Sequence, residues 1–146
     1  MRVKGTCDIY FRTKEEFGRG LNFEKQKFWA MLVDNRYLFN AAHRDLEEVV
    51  DFEIVGAKRE KVSMKWSEAI AGDRGAGMKL AFSAFGFRHP GGPDWRILRW
   101  IIYRQESAGG GSLLFSGLAN YLGDMIMSEG DELQIEPGVN GLAILT

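Results

Sequence analysis

Apolar and polar positions alternate over residues 2–12. Val3, Gly5, Cys7, Ile9 and Phe11 fall on one side, and Arg2, Lys4, Thr6, Asp8, Tyr10 and Arg12 on the other. A period of two is that of a half-buried strand. Thr13-Lys14-Glu15-Glu16 then reads as a capping box, with Gly18 and Gly20 stopping the helix after about two turns. Strand-like runs return at 28–33, 37–40, 52–55, 62–66, 78–88 and 95–105. Asp34-Asn35-Arg36 predicts a hairpin between the first two of these. Asp45 is placed to cap a short helix reaching Val50. Pro90-Gly91-Gly92-Pro93 predicts a turn, and 132–136 with 142–145 predicts a closing hairpin.

The period changes in residues 112–128. Ser112 can cap a helix there, and Leu114, Phe115, Leu118, Tyr121, Leu122, Met125 and Ile126 gather within an arc of roughly 140°. The other face carries small residues where a solvated helix usually carries Lys and Glu. Two of them are glycines, each weakening a helix by ~1 kcal/mol relative to alanine. Ser116, Gly117, Asn120 and Gly123 are therefore expected to make a close contact between subunits, and the chain to be a homodimer. Together these elements predict an α+β fold in a single domain spanning 1–146. Its mostly antiparallel sheet would be curved, or a partial barrel, with seven to nine strands packed on one main helix at 112–128.

Composition bounds the function. With 146 residues, 45% of them apolar, the chain can bury a substantial core. All 19 cations precede Gly109, and five of the 20 acids follow it, so the Gly109-Gly110-Gly111-Ser112 run marks a joint in the chain. The net charge of −1 argues against a dedicated nucleic-acid binder. Cys7 is the only cysteine, so no internal disulfide forms and a reducing cytoplasm is expected. On the apolar side of its strand it reads as a structural thiol rather than a nucleophile. No apolar run reaches the ~18 residues that span a bilayer, so no membrane contact is expected. The two His and one Cys stand at no metal-ligand spacing, so no metal and no cofactor are expected.

The motifs exclude more than they assign. His43-Arg44-Asp45-Leu46 copies four residues of the protein-kinase catalytic loop, but Val50 occupies the place of the metal-holding Asn, and Asp-Phe-Gly is missing. In Gly72-Asp73-Arg74-Gly75-Ala76-Gly77-Met78-Lys79, Met78 separates the Gly and Lys of a phosphate loop, and a strand follows where a helix is required. Residues 129–145 are similar to the helix, Gly-Asp, strand, turn, strand ending of swapped-hairpin (AbrB-type) transition regulators. Those proteins bind DNA with basic residues, and this tail has none, so no DNA-binding role comes with the similarity. The order of hairpin, strands and one helix resembles that of pleckstrin-homology-like and GRAM domains, from which the two last strands depart.

The resulting expectation is a non-enzymatic binding or accessory module for a protein or small-molecule partner. An up-and-down meander would bring the connections 41–49, 67–77 and 106–112 to one end. His43, Arg44, Asp73 and Arg74 are therefore the candidate ligand-binding residues, with His89 remote from them. The same group supports an alternative, a small enzyme with His43 as acid/base and Arg74 as anion clamp. A second alternative is single-strand nucleic-acid binding through the interleaved rings and cations of the Trp95–Arg104 strand.

Overall fold

The computed structural model describes residues 2–4, 7–68, 78–106, 109–120, 123–137 and 143–145. In chain order the strands are β1 (Arg2–Lys4), β2 (Asp8–Ile9), β3 (Phe28–Asp34), β4 (Glu60–Val62), β5 (Met64–Glu68) and β6 (Met78–Phe82). They continue as β7 (Phe85–Arg88), β8 (Trp95–Gln105), β9 (Gly111–Leu118), β10 (Met125–Met127), β11 (Glu132–Glu136) and β12 (Ala143–Leu145). Among the described residues one α-helix, α1, spans Phe11–Gly18 between β2 and β3. The fold is α+β and mostly antiparallel. Among the described residues no sheet is closed, and in place of the expected single curved sheet or partial barrel there are three sheets, of six, three and three strands.

β8 is the axis of the large sheet. β3 lies along one side of it, pairing Leu32 with Trp100 and Trp29 with Tyr103, and β4 adds beyond β3. β9 lies along the other side, with β2 outside it. β10 takes up the same lane where β9 leaves it. Leu118 is opposite Arg99, and Met125 is opposite Ile97. The described part of the stretch predicted as the main helix is thus the return arm of a long hairpin, with β9 ending at Leu118 and β10 beginning at Met125.

Burial on both faces explains this departure. One face of the large sheet packs Phe28, Leu32, Trp100, Ile102 and Phe115 against Leu80, Phe82, Phe85, Phe87, Leu133 and Ile135 of the two small sheets. The other face packs Met31, Val33, Ile101 and Leu113 beneath Tyr10, Tyr37, Leu46 and Val49. A strand covered on both faces reads as a continuous apolar run with no alternation. Leu113, Leu114 and Phe115 are all fully buried, and a bulge falls at this point, between the pairs Ile102–Phe115 and Tyr103–Leu113. The small residues serve close packing inside the sheet. A Cβ on Gly111 would stand 2.6 Å from the Tyr103 ring. Gly117 is buried opposite Trp100.

Other expected elements shift for local reasons. Residues 37–40 do not form a strand. After the turn at Asn35-Arg36 the chain crosses the sheet, burying Tyr37 and leaving Leu38 82% exposed. The run 78–88 breaks at Ser83-Ala84, and its halves join different sheets. β11 and β12 do not pair with each other: β11 joins β1 and β7, and β12 joins β6. The short helix after Asp45 is a 3-10 turn at Leu46–Glu48, with the Glu48 carboxylate accepting from the Asp45 N–H at 3.1 Å.

Candidate functional site

The aromatic-cation strand forms where it was expected, but its rings face inward. Trp95 and Tyr103 are each 5% exposed and Trp100 is fully buried, so β8 presents no stacking platform for bases. Its cations run past the rings to the surface and pair with acids, as Arg99 does with Asp8 at 2.7 Å.

A cleft of about 520 Å³ opens at the Trp95 end of β8. That lies within the usual range for small-molecule sites. Three walls enclose it: the turn Asp34–Arg36 leaving β3, the turn Ile54–Gly56, and the segment from Gly91 to Arg96. Ile54 and Trp95 are nearly buried, whereas Val55 is 91% exposed. Gly56 has φ +90, which favours glycine, and its Cα face lies against the indole of Trp95.

The walls are fixed by hydrogen bonds. His89 is 1% exposed and packs on Trp95 with ring centroids 4.3 Å apart. Its Nδ1 accepts from the Gly91 N–H at 3.1 Å, so the ring proton of the neutral imidazole is on Nε2, which donates to the Pro93 carbonyl at 2.8 Å. His89 is thereby the brace of the Pro90–Pro93 turn. On the opposite wall Asp34 holds Arg36 at 2.9 Å, and this pairing raises the Arg36 pKa. Glu53 holds Arg59 through two contacts of 2.7 Å. Asp124, just before β10, reaches both Asn35 and Arg96 at 3.3 Å and ties the two sides together. Among the described residues, Asp94 is the one lining carboxylate without an ion-pair partner.

The residues expected to bind ligand lie elsewhere. His43 is half-buried within the 37–52 segment, and its Nδ1 is 3.0 Å from the Tyr37 hydroxyl. That hydroxyl is 2.8 Å from the buried hydroxyl of Tyr10. Burial raises both tyrosine pKa values, and the hydrogen bond to Tyr37 raises that of Tyr10 further. Arg44 is tied to Glu15 of α1 by two contacts of 2.8 Å. Asp73 and Arg74 lie outside the described residues, so the expected His43–Arg74 pairing does too. Connections 41–49 and 106–112 do meet. Asp45 forms a β-bridge with Ser112, and Arg12 joins Asp45 at 2.8 Å to Glu106 at 3.1 Å.

Of the residues expected at a subunit contact, Ser116 and Gly117 are buried within the protomer on β9. Asn120 and Gly123 lie in the loop between β9 and β10, half-buried, with Gly123 at φ +128. The helix face on which that contact and the homodimer were argued does not exist in this fold.

Two side chains near the sheet carry shifted pKa values with testable consequences. Burial, followed by the nearby Asp8 charge, pushes the Cys7 thiol up from 9.0 to about 12. The reactive thiolate is therefore scarce near neutrality. We expect native Cys7 to resist iodoacetamide at pH 8 and to alkylate readily once denatured, as mass spectrometry would show. The Arg44 and Asp45 backbone N–H groups hold the Glu48 carboxyl below its ordinary 4.5. A depressed carboxyl pKa stabilises the fold above the ordinary value, and this contribution disappears as pH falls through the folded value. The stability difference between wild type and Glu48→Gln should therefore shrink as pH drops below 4.5, as read by urea denaturation at stepped pH.

Among the described residues no cluster of His, Cys, Asp or Glu could hold a metal ion, and no helix is long and apolar enough to cross a membrane. Sequence spacing drew attention to His43 and missed the cleft. The available signals were Gly56 and the Pro90–Pro93 turn flanking the inward-facing Trp95. Comparison with protein-family models, with characterised proteins and with solved structures finds no significant match for this chain.

Proposed function

We propose that the protein is a non-enzymatic binding module, and that its partner presents an apolar body and a cationic group to the cleft beside Trp95. The observation that supports this reading most is the pairing of the lining charges. Asp34, Glu53 and Arg96 are already matched with Arg36, Arg59 and Asp124, leaving Asp94 as the lining carboxylate without an ion-pair partner among the described residues. Trp95, Ile54, Val55 and Pro93 supply apolar surface for the body of the ligand. An amine-bearing small molecule or a basic side chain of a partner protein has this chemistry.

Phenethylamine and its anionic counterpart phenylpropionate are suitable probes. The amine should bind more tightly, and Asp94→Asn should weaken it by about two- to fivefold, the usual worth of an exposed charge pair. Equal binding of both probes, or an unchanged amine affinity in Asp94→Asn, would count against the proposal.

The hydroxyl chain at His43 favours a second reading, a small enzyme using His43 as acid/base. Under that reading the probes would perturb the 37–45 segment instead of the cleft.

A further inference from the structure

Tyr10, Tyr37 and His43 line up in one hydrogen-bonded row, with Tyr10 fully buried at one end and His43 half-exposed at the other. The Tyr10 N–H donates to the Leu114 carbonyl of β9 at 3.1 Å, and Ser116 stands two residues further along that strand. The Ser116 hydroxyl donates to the Trp100 carbonyl at 3.0 Å.

Each hydroxyl in the row has one proton, and this permits two orders. When His43 Nδ1 has no proton, Tyr37 donates to it and Tyr10 donates to Tyr37. When His43 is doubly protonated, Nδ1–H must donate. Tyr37 then accepts from His43 and donates to Tyr10, and Tyr10 turns its proton away from Tyr37. We propose that this row is a proton-ordered switch, reversing direction when His43 gains or loses a proton and carrying that change from the surface to the buried Tyr10 hydroxyl.

The surrounding charges are placed to sense it. The Glu48 carboxylate, on the 46–48 turn, accepts from the Arg44 N–H at 2.8 Å, one residue beyond His43, and its charge acts on Tyr37. Arg99, from β8, acts on both tyrosines and is itself held by Asp8 of β2. Arg44 and Asp45 follow His43 directly in the chain, and Arg44 is engaged by Glu15.

The test is a nuclear magnetic resonance titration of the full chain with labelled histidine nitrogens and tyrosine ring carbons, over about pH 5 to 8, where histidine changes charge. We expect His43 at the upper end to be the tautomer protonated on Nε2. The Tyr10 ring-carbon shift should move with the His43 midpoint, and Tyr37→Phe should abolish that movement. An Nδ1-protonated neutral His43, a Tyr10 signal that does not respond, or a response that survives Tyr37→Phe would each overturn the proposal. The first two are read in the wild-type protein, so the test stands even if the variant does not fold.

Discussion

Replacing Trp100 with alanine is expected to remove about 3–5 kcal/mol of stability, the usual cost of truncating a buried Trp. Trp100 is fully buried at the centre of β8 and makes edge contacts with Phe82 and Phe85, at 5.7 and 5.8 Å between centroids. These contacts join the large sheet to strands of both small sheets. Its indole N–H has no hydrogen-bond partner among the described residues. A buried unpaired donor costs about 1–3 kcal/mol, so Trp100→Phe removes a penalty while keeping most of the ring. We therefore expect Trp100→Phe to cost much less than Trp100→Ala in urea denaturation. Equal losses in the two variants would mean that the indole nitrogen is satisfied and the packing is misplaced.

Glu16 is the second position of large expected effect. It lies on α1 with 5% exposure, accepting from Arg104 Nη2 at 3.0 Å and facing Arg12 Nε at 3.6 Å. Removing one partner of a buried ion pair leaves the other desolvated and uncompensated, at about 3–5 kcal/mol. Glu106 still faces both arginines, at 3.1 and 3.4 Å, and Ser112 donates to it. Glu16→Ala should thus fall near the lower end of that range, read from the shift in urea midpoint at constant slope. A loss below about 1 kcal/mol, the value of surface pairs, would show the network to be solvated.

The sequence was most legible where local signals mark an element. The Trp95–Gln105 strand occupies the expected residues because the Pro90–Pro93 turn precedes it and aromatic and β-branched residues fill it. Asp45 starts a helical turn as expected, because capping depends on local hydrogen bonds. Legibility ended at β9, where both faces are covered. There Leu114, Phe115 and Leu118 happen to fall at helical spacing, and Ser116 and Gly117 resemble a contact face. The cleft was hidden for a different reason. Its walls come from three separate turns, and its brace, His89, touches Trp95 through tertiary packing. No sequence spacing encodes that approach.

The proposed site is tested most directly by mapping phenethylamine binding on the backbone amide resonances of the wild-type protein. The account predicts that the perturbed amides cluster in the three cleft walls, at 34–36, 53–56 and 91–96, with the 37–45 segment around His43 unchanged. A cluster centred on His43 and Tyr37, with the cleft walls silent, would contradict it.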